Sequence, residues 1–316
     1  LALNGEGTLE RLPLSADVLV GGETPISYRG PLVYERQTDG HKLSLGAQGS
    51  PATGRVRDIA FNINNGTYVL TGPQGISARA DVGLGGGSLK ADLTPVALSG
   101  RSRDASPVWD FNAQLEQVPV NVFSRDHEGT ISGTLDVNRI GHADLNGTGQ
   151  IRLAGARLAQ STGDSLNANI NAVLDAASLR LNATANNTAT SGSGALVARA
   201  DVSLPLDYDP APLRLAIDGN GDLSGNVSIN GPIKPIWDLI DGIDRRIEGR
   251  IETSIALSGR LNDRSIAGPI KIINARVDDV ATGLKVRELN GEAYLTSDDV
   301  TISSLSAKDD RGGTIN

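Results

Sequence analysis

The sequence predicts an all-β protein whose sheet has one apolar and one polar face, and two observations carry this prediction. The first is a two-residue alternation between Ile247 and Val277, in which apolar side chains occupy every second position. Successive side chains of a β-strand point to opposite faces, so this alternation indicates half-buried strands. The second is an internal repeat of roughly 116–120 residues, which extends the pattern over much of the chain.

The apolar phase of this stretch shifts once by a single residue. After a turn-like run at 259–268, Ile270 and Ile272 continue the pattern of the first strand, but the phase then moves to Ile273 and reaches Val277. A β-bulge inserts one residue into a strand and keeps the apolar set on one face. We therefore predict an antiparallel sheet with a bulge in its second strand.

The internal repeat rests on three short segments that recur in the same order. Each recurs after 116 to 120 residues, and the one-residue phase shift recurs between Leu153 and Ala156. The matched segments are 78–82 with 198–202, 131–135 with 247–251, and 149–158 with 268–277. We therefore predict a partial repeat at 1–75 and two repeat units at 76–195 and 196–316, joined in one sheet.

One short helix is predicted in each repeat unit, just before the central strand. Apolar residues recur at helical spacing over 235–243, and Pro235 suits the first turn of a helix. The segment 119–125 is a weaker copy. We favour a helix that covers the end or edge of a sheet over one that docks a partner, with Asp238 and Asp241 directed away from the sheet.

Two local patterns concern turns. Residues 1–75 alternate in short strands, and Asn64-Asn65-Gly66 between two alternating runs predicts a β-hairpin. The segment 184–195, rich in small polar residues, is either a linker or a polar hairpin.

Composition excludes several classes of protein. The net charge is −8 with scattered charges, which argues against nucleic acid and against a polybasic grip on anionic lipid. The absence of cysteine excludes disulfides and thiolate chemistry. No apolar run approaches the roughly 18 residues of a membrane span. Because the chain begins at Leu1 instead of methionine, we expect a fragment of a longer protein.

No motif predicts catalysis or a bound metal. The segment 218–222 imitates the start of a calcium loop, but Leu223 and Ile229 stand where such a loop needs Gly and Glu. The glycine-rich segment 83–87 lacks a following helix pattern, and the three histidines are dispersed. We predict no catalytic residue, no metal site and no cofactor, and hence a protein that is not an enzyme.

A family resemblance rests on the order of several short segments near the end of the chain. These are 247–250, 257–259, 266–268, 281–287, 305–307 and 312–315. Together they make residues 247–316 resemble the TamB family of AsmA-like proteins, the inner-membrane-anchored component of the bacterial translocation and assembly module. Residues 118–158 carry a looser copy of the same pattern, and the amino-terminal anchor of the family has no counterpart in this sequence.

The resemblance implies an elongated, U-shaped sheet, called a β-taco, with an apolar concave groove. It also implies a location in the periplasm of a Gram-negative bacterium and an outer-membrane barrel of the TamA type as partner. The functions it implies are insertion and secretion of outer-membrane proteins and phospholipid transport between the two membranes.

The residues themselves are compatible with such a groove. A one-sided apolar sheet must fold over on itself or face a ligand. An aliphatic lining suits phospholipid acyl chains, because exposing about 14 methylenes to water costs on the order of 10 kcal/mol. The predicted groove residues are Ile247, Ile251, Ile255, Leu257, Ile270, Leu135, Val137 and Ile151. The alternative for all eight is an ordinary closed core.

Other functions remain open from the sequence. A periplasmic chaperone would use the same face for nascent β-barrel or autotransporter strands. A β-helical adhesin or passenger domain is less favoured, since such folds repeat every 20–25 or so residues. A β-helical polysaccharide enzyme would need charged side chains where the alternation places aliphatic ones.

Overall fold

The fold is nearly all β, an antiparallel sheet with one short α-helix in the part of the chain that the structure describes. A computed structural model describes residues 2–8, 10–20, 26–46, 52–56, 59–64, 66–73, 75–95, 109–124, 126–140, 144–159, 164–175, 178–188, 194–210, 213–240, 245–310 and 312–315. Every strand pair whose register is described is antiparallel. The predicted all-β class is confirmed.

The strands are numbered in chain order. The first eleven are β1 Ala2–Asn4, β2 Arg11–Val20, β3 Ile26–Gln37, β4 Gly40–Leu45, β5 Ala52–Val56, β6 Ile59–Ile63, β7 Thr67–Gly72, β8 Gly75–Leu84, β9 Gly87–Pro95, β10 Trp109–Pro119 and β11 His127–Ile140. The others are β12 Asp144–Leu158, β13 Ser165–Asp175, β14 Ser178–Thr188, β15 Val197–Pro210, β16 Leu213–Ile217, β17 Ser224–Pro232, β18 Arg245–Arg260, β19 Asp263–Asp279, β20 Lys285–Leu295, β21 Val300–Asp309 and β22 Thr314–Ile315. Helix α1 is Lys234–Ile240, and a 3₁₀ turn spans Val120–Val122.

The chain divides into two compact units. The first contains Leu1–Phe123 and Ile131–Gly149, and the second contains Ser124–Thr130 and Gln150–Asn316. Strands β11 and β12 each contribute to both units. The predicted division at residues 75 and 195 concerns sequence repeats and stays a prediction.

The first unit is an antiparallel meander in which two positions of the sheet are each occupied by two short strands instead of one long strand. Strands β4 and β5 both pair with β3, while β6 and β7 both pair with β8. The predicted hairpin at Asn64-Asn65-Gly66 is therefore wrong, because β6 and β7 run in the same direction along β8. Asp81 of β8 bonds to the end of β6 and to the start of β7. Its carbonyl accepts from the Asn64 N–H at 2.8 Å, and its own N–H donates to Thr67 Oγ1 at 3.0 Å.

The second unit is a longer meander. Strands β13, β14 and β15 pair in sequence, β15 pairs with both β16 and β17, and β17 to β22 again pair in sequence. The run at 259–268, expected to be turn-like, is strand except at Leu261 and Asn262, because β18 and β19 pair up to Arg260 and Asp263. Since β14 pairs with β15, the segment between them joins a hairpin instead of linking two domains.

The bulge predicted from the phase shift is confirmed. The register of β18 against β19 shifts between Glu248 and Arg250, and Asn274 is the extra residue, with φ +46°. Gly249 has φ +117°, and a Cβ added to it would lie 2.5 Å from the Cα of Ala275. Only glycine tolerates both conditions, so the bulge depends on this residue.

The same arrangement occurs a second time in the second unit. Gly129 has φ +121°, and a Cβ added to it would lie 2.9 Å from the Cα of Ala156, which follows Gly155 at φ +65°. The two glycines are 120 residues apart (249 − 129) and the two alanines 119 (275 − 156). This spacing equals the period of the sequence repeat.

The best-sealed part of the second unit lies beside helix α1. We call the cluster of Ala156, Leu166 and Leu196, with Ile236 and Leu239 of the helix packed against it, the capped corner. Leu196 is only 1% exposed there.

The prediction that Asp238 turns away from the sheet is wrong. Its side chain is buried, and its carboxylate binds the Lys234 ammonium at 2.5 Å across one helical turn. The ion pair between these two residues offsets the cost of burying the carboxylate. Asp241 lies outside the described residues.

Candidate functional site

Three rows of mostly aliphatic side chains cross the second unit on one face of the sheet. Strand pairing sets the rows, because directly paired residues point to the same side. The first row is Ile170, Ala183, Ala200, Val227 and Ile255. The second is Ala168, Ala185, Ala198, Ile229, Thr253, Ile270, Ala293 and Ile302. The third is Ala172, Leu181, Val202, Gly225, Leu257 and Ile266. We call these rows the aliphatic face.

The aliphatic face is not sealed. Its side chains are half-buried, apart from the more exposed Ile302, and none belongs to the twelve buried hydrophobic residues of the described chain. The whole chain exposes 18840 Å². Two globular proteins of half its mass would together expose roughly 15,000 Å². Ala185 and Ile229 of the second row pack against the capped corner. The other side chains of the face lie outside that cluster and keep part of their surface exposed.

The single polar member of the face is satisfied internally. Thr253 donates its hydroxyl hydrogen to the carbonyl of Pro269 at 2.8 Å. A buried hydroxyl without a partner would otherwise penalise an apolar ligand above it. Towards a ligand the three rows therefore offer methyl and methylene groups.

The opposite face of the same strands is polar and charged. Arg250 forms an ion pair with Glu252 and also contacts Asn230, while Lys271 binds Glu292 at 2.7 Å. The hydrogen bond to Glu292 raises the pKa of Lys271 above its ordinary value, so the ammonium of Lys271 stays charged at neutral pH. All of these groups are partly exposed, and such pairs contribute little to stability.

A shallow depression of about 800 Å³ also lies on this polar face, between Arg199, Ser228 and Lys271. Its rim groups Arg250 and Lys271 already bind acidic partners. An added ligand would have to compete with those partners. We therefore place the candidate site on the aliphatic face.

Five of the eight predicted groove residues lie on β18 and β19, and three of them, Ile255, Leu257 and Ile270, belong to the aliphatic face. Ile251, Ile255 and Leu257 lie on one side of β18, and Ile270 of β19 is diagonal to the first two across the pair. Ile247 pairs with Val277 beyond the bulge and is half-buried like the others.

The other three predicted residues lie elsewhere. Leu135 and Val137 are on β11 in the first unit, where Leu135 is 42% exposed and Val137 half-buried. Ile151 is on β12 in the second unit and is 46% exposed. These three keep a surface position compatible with ligand contact but do not belong to the aliphatic face.

Several members of the aliphatic face were missing from the predicted set. Strands β13 to β17 contribute Ile170, Leu181, Val202 and Val227, which were not predicted as groove residues. The alternation of apolar residues over 166–174 was a usable signal, but only strand pairing reveals which alternating segments share a face. A pocket of about 290 Å³ beside Ile272, Gly291 and Leu305 continues the apolar surface towards β21.

The described residues contain no group of three or more His, Cys, Asp or Glu arranged to hold a metal ion. The calcium-like segment 218–222 forms a turn in which the Gly221 N–H donates to the Asp218 carbonyl at 3.3 Å. Within the described ranges, no helix has the length and hydrophobicity of a membrane span.

Comparison with known proteins adds no further identification. No family model, no curated protein and no solved structure matches the chain.

Proposed function

We propose that the aliphatic face binds the acyl chains of phospholipids. The protein would act in the periplasm of a Gram-negative bacterium, as part of an inner-membrane-anchored module that transports lipid or assists the assembly of outer-membrane proteins. An outer-membrane barrel of the TamA type is the proposed partner. The resemblance of residues 247–316 to the TamB family supports this setting.

One observation carries the binding proposal: aliphatic rows cross β13 to β19 on one face and are only half-buried. An uncovered apolar surface of this extent is costly in water and marks an interaction site. Each methylene of a ligand that it shields contributes about 0.8 kcal/mol. The three rows contain no charged side chain, which suits hydrocarbon better than a polar ligand.

A pair of neighbouring variants on β18 tests the proposal. Ile255→Asp places a charge on the aliphatic face, while Ala256→Asp places the same charge on the polar face, where Ala256 is exposed. Native mass spectrometry with phosphatidylethanolamine measures lipid binding. We expect wild type and Ala256→Asp to retain lipid, and Ile255→Asp to lose at least tenfold in affinity, because burying a charge beside hydrocarbon is costly.

Circular dichroism and urea unfolding separate binding from folding. Loss of lipid by a folded Ile255→Asp variant supports the proposal. Unfolding of Ile255→Asp with a folded Ala256→Asp would indicate a closed core, and unchanged lipid binding would indicate that Ile255 does not face the ligand. Either result rejects the proposed site.

A second function, chaperoning of nascent β-barrel strands, is favoured by one different feature. Strand β16 pairs only with β15 among the described residues, and its Leu215 and Ile217 are 46% and 54% exposed. An edge strand with exposed apolar side chains can accept an added strand.

Photocrosslinking distinguishes the two functions. A photoreactive residue at Ile217 would capture unfolded barrel precursors if strands add to β16. The same probe at Ile255 would capture phospholipid if the aliphatic face carries acyl chains. Precursor captured at Ile217, without lipid at Ile255, would favour the chaperone.

A further inference from the structure

A buried arginine in the first unit has hydrogen-bond donors without acceptors. Arg139 of β11 is 3% exposed, and its Nε and Nη2 have no hydrogen-bond partner in the part of the chain that the structure describes. A guanidinium remains charged at all physiological pH values and carries five donors. Buried donors of this kind destabilise a protein unless an acceptor reaches them.

Apolar residues continue the face of β11 on which Arg139 lies. By alternation, Arg139 shares a face of β11 with Val137 and Leu135, and these residues become more exposed in that order. On β12, a Cβ added to Gly147 would lie 3.0 Å from Val137 Cγ2, and Leu145 is 3% exposed. The result is an apolar strip of about 13 Å that ends at a buried cation.

We propose that Arg139 binds the phosphate of a phospholipid headgroup, with the acyl chains lying along Val137 and Leu135. This inference rests on the proposed function and adds to it a second lipid contact, on the first unit and outside the aliphatic face, where the headgroup is recognised. The planar fork of a guanidinium matches phosphate oxygens, and a phosphate supplies the acceptors that Nε and Nη2 lack.

The apolar strip beside Arg139 favours a phospholipid over inorganic phosphate. Inorganic phosphate would satisfy Arg139 but leave Val137 and Leu135 uncovered, whereas a phospholipid covers both. Both nitrogens are themselves covered by neighbouring atoms, so the headgroup reaches them only when side chains move aside.

Lipids with identical acyl chains test headgroup recognition. Native mass spectrometry compares phosphatidylglycerol with diacylglycerol, which lacks the phosphate, for wild type and two neutral variants, Arg139→Met and Arg139→Gln. Arg36→Met, which removes an exposed arginine of β3 in the same unit, is the control. We expect wild type and Arg36→Met to prefer phosphatidylglycerol by about tenfold or more, the value of a charge-assisted hydrogen bond.

Both Arg139 variants should bind the two lipids about equally while keeping the wild-type affinity for diacylglycerol. If Arg139→Met does not fold, the Arg139→Gln variant decides. A retained preference in the variants overturns the inference, as does inorganic phosphate that binds wild type as tightly as phosphatidylglycerol. If wild type binds both lipids equally, only headgroup recognition is rejected. If it binds neither lipid, the proposed function is rejected as well.

Discussion

The capped corner and the aliphatic face are built from the same kinds of side chain but differ in cover. At the corner, helix α1 lies over Leu166 and Leu196, and both are buried. Along the aliphatic face, Ile170, Val227 and Ile255 lie outside that cluster and remain half-buried. One seven-residue helix therefore separates a structural core from a surface available to a ligand.

This difference separates stability from binding within one sheet. Side chains of the corner contribute to the free energy of folding, because their burial is complete in the folded protein. Side chains of the aliphatic face are still partly in contact with water, and a ligand that covers them gains the hydrophobic free energy of the remaining area. Substitutions in the two regions should therefore affect different measurements.

The largest expected effect is loss of packing in the corner. Leu196→Ala should lower the free energy of unfolding of the second unit by about 2–5 kcal/mol, because it leaves a cavity under the helix. Ile255→Ala, on the aliphatic face, should cost about 1 kcal/mol, since its side chain is only half-buried. Urea unfolding measures both. Equal losses would mean that the aliphatic face is packed like the corner.

Next comes the bulge that keeps the apolar residues on one face. Gly249→Ala should destabilise the protein by about 3 kcal/mol, through backbone strain and through the contact with Ala275. Gly283→Ala is the matched control, because Gly283 also has a positive φ, +70°, but has no described atom within 4 Å of an added Cβ. It should cost about 1 kcal/mol. A similar effect of both substitutions in thermal unfolding would contradict the steric role of Ala275.

A smaller effect is expected at the ion pair of helix α1. Lys234→Met should cost about 1–2 kcal/mol, since it leaves the buried carboxylate of Asp238 without its lysine. Lys271→Met removes a comparable pair on the exposed polar face and should cost less than about 0.5 kcal/mol. Hydrogen exchange of the α1 amides provides the local readout. Unchanged exchange in Lys234→Met would show that the pair does not hold the helix in place.

The smallest effect concerns pH at the β19–β20 turn. The Thr282 N–H donates to the Asp279 carboxylate and, with the Ala281 N–H and Arg245, holds the pKa of Asp279 below its ordinary value. A lowered pKa contributes stability above the ordinary value and loses it as the pH falls through the lowered one. Asp279→Asn should therefore reduce Tm at pH 6, and the difference should shrink as the pH falls below the ordinary pKa of an aspartate.

Asp299→Asn, at the next turn, is the control for this pH dependence. It should change Tm little at either pH, because Asp299 takes part in its turn through backbone groups. A difference between wild type and Asp279→Asn that stays constant from pH 6 to 2 would contradict the role assigned to the Asp279 carboxylate.

The sequence was informative where structure follows from local alternation. Period-two alternation predicted the face of Ile251 and Ile255, and the phase shift after Ile272 predicted the bulge. Both signals are local, because a strand alternates and a bulge moves the phase by one residue.

Predictions failed where distant residues decide the outcome. Asn64-Asn65-Gly66 carries a strong local hairpin signal, but Asn64 bonds to Asp81 and both β6 and β7 pair with β8. Likewise, Leu196 and Ile255 look alike in an alternating pattern, and only the position of helix α1 distinguishes them. Cover by a distant element leaves no trace in the alternation itself.

Thiol accessibility tests the central claim most directly, because the chain contains no cysteine and each introduced thiol is unique. Labelling rates of Ile255→Cys, Leu196→Cys and Ala256→Cys with a small maleimide compare the aliphatic face, the capped corner and the polar face. We predict that Ile255→Cys reacts in the folded protein and is protected by phospholipid, that Ala256→Cys reacts without protection, and that Leu196→Cys reacts only after unfolding. An Ile255→Cys variant as unreactive as Leu196→Cys would contradict the account.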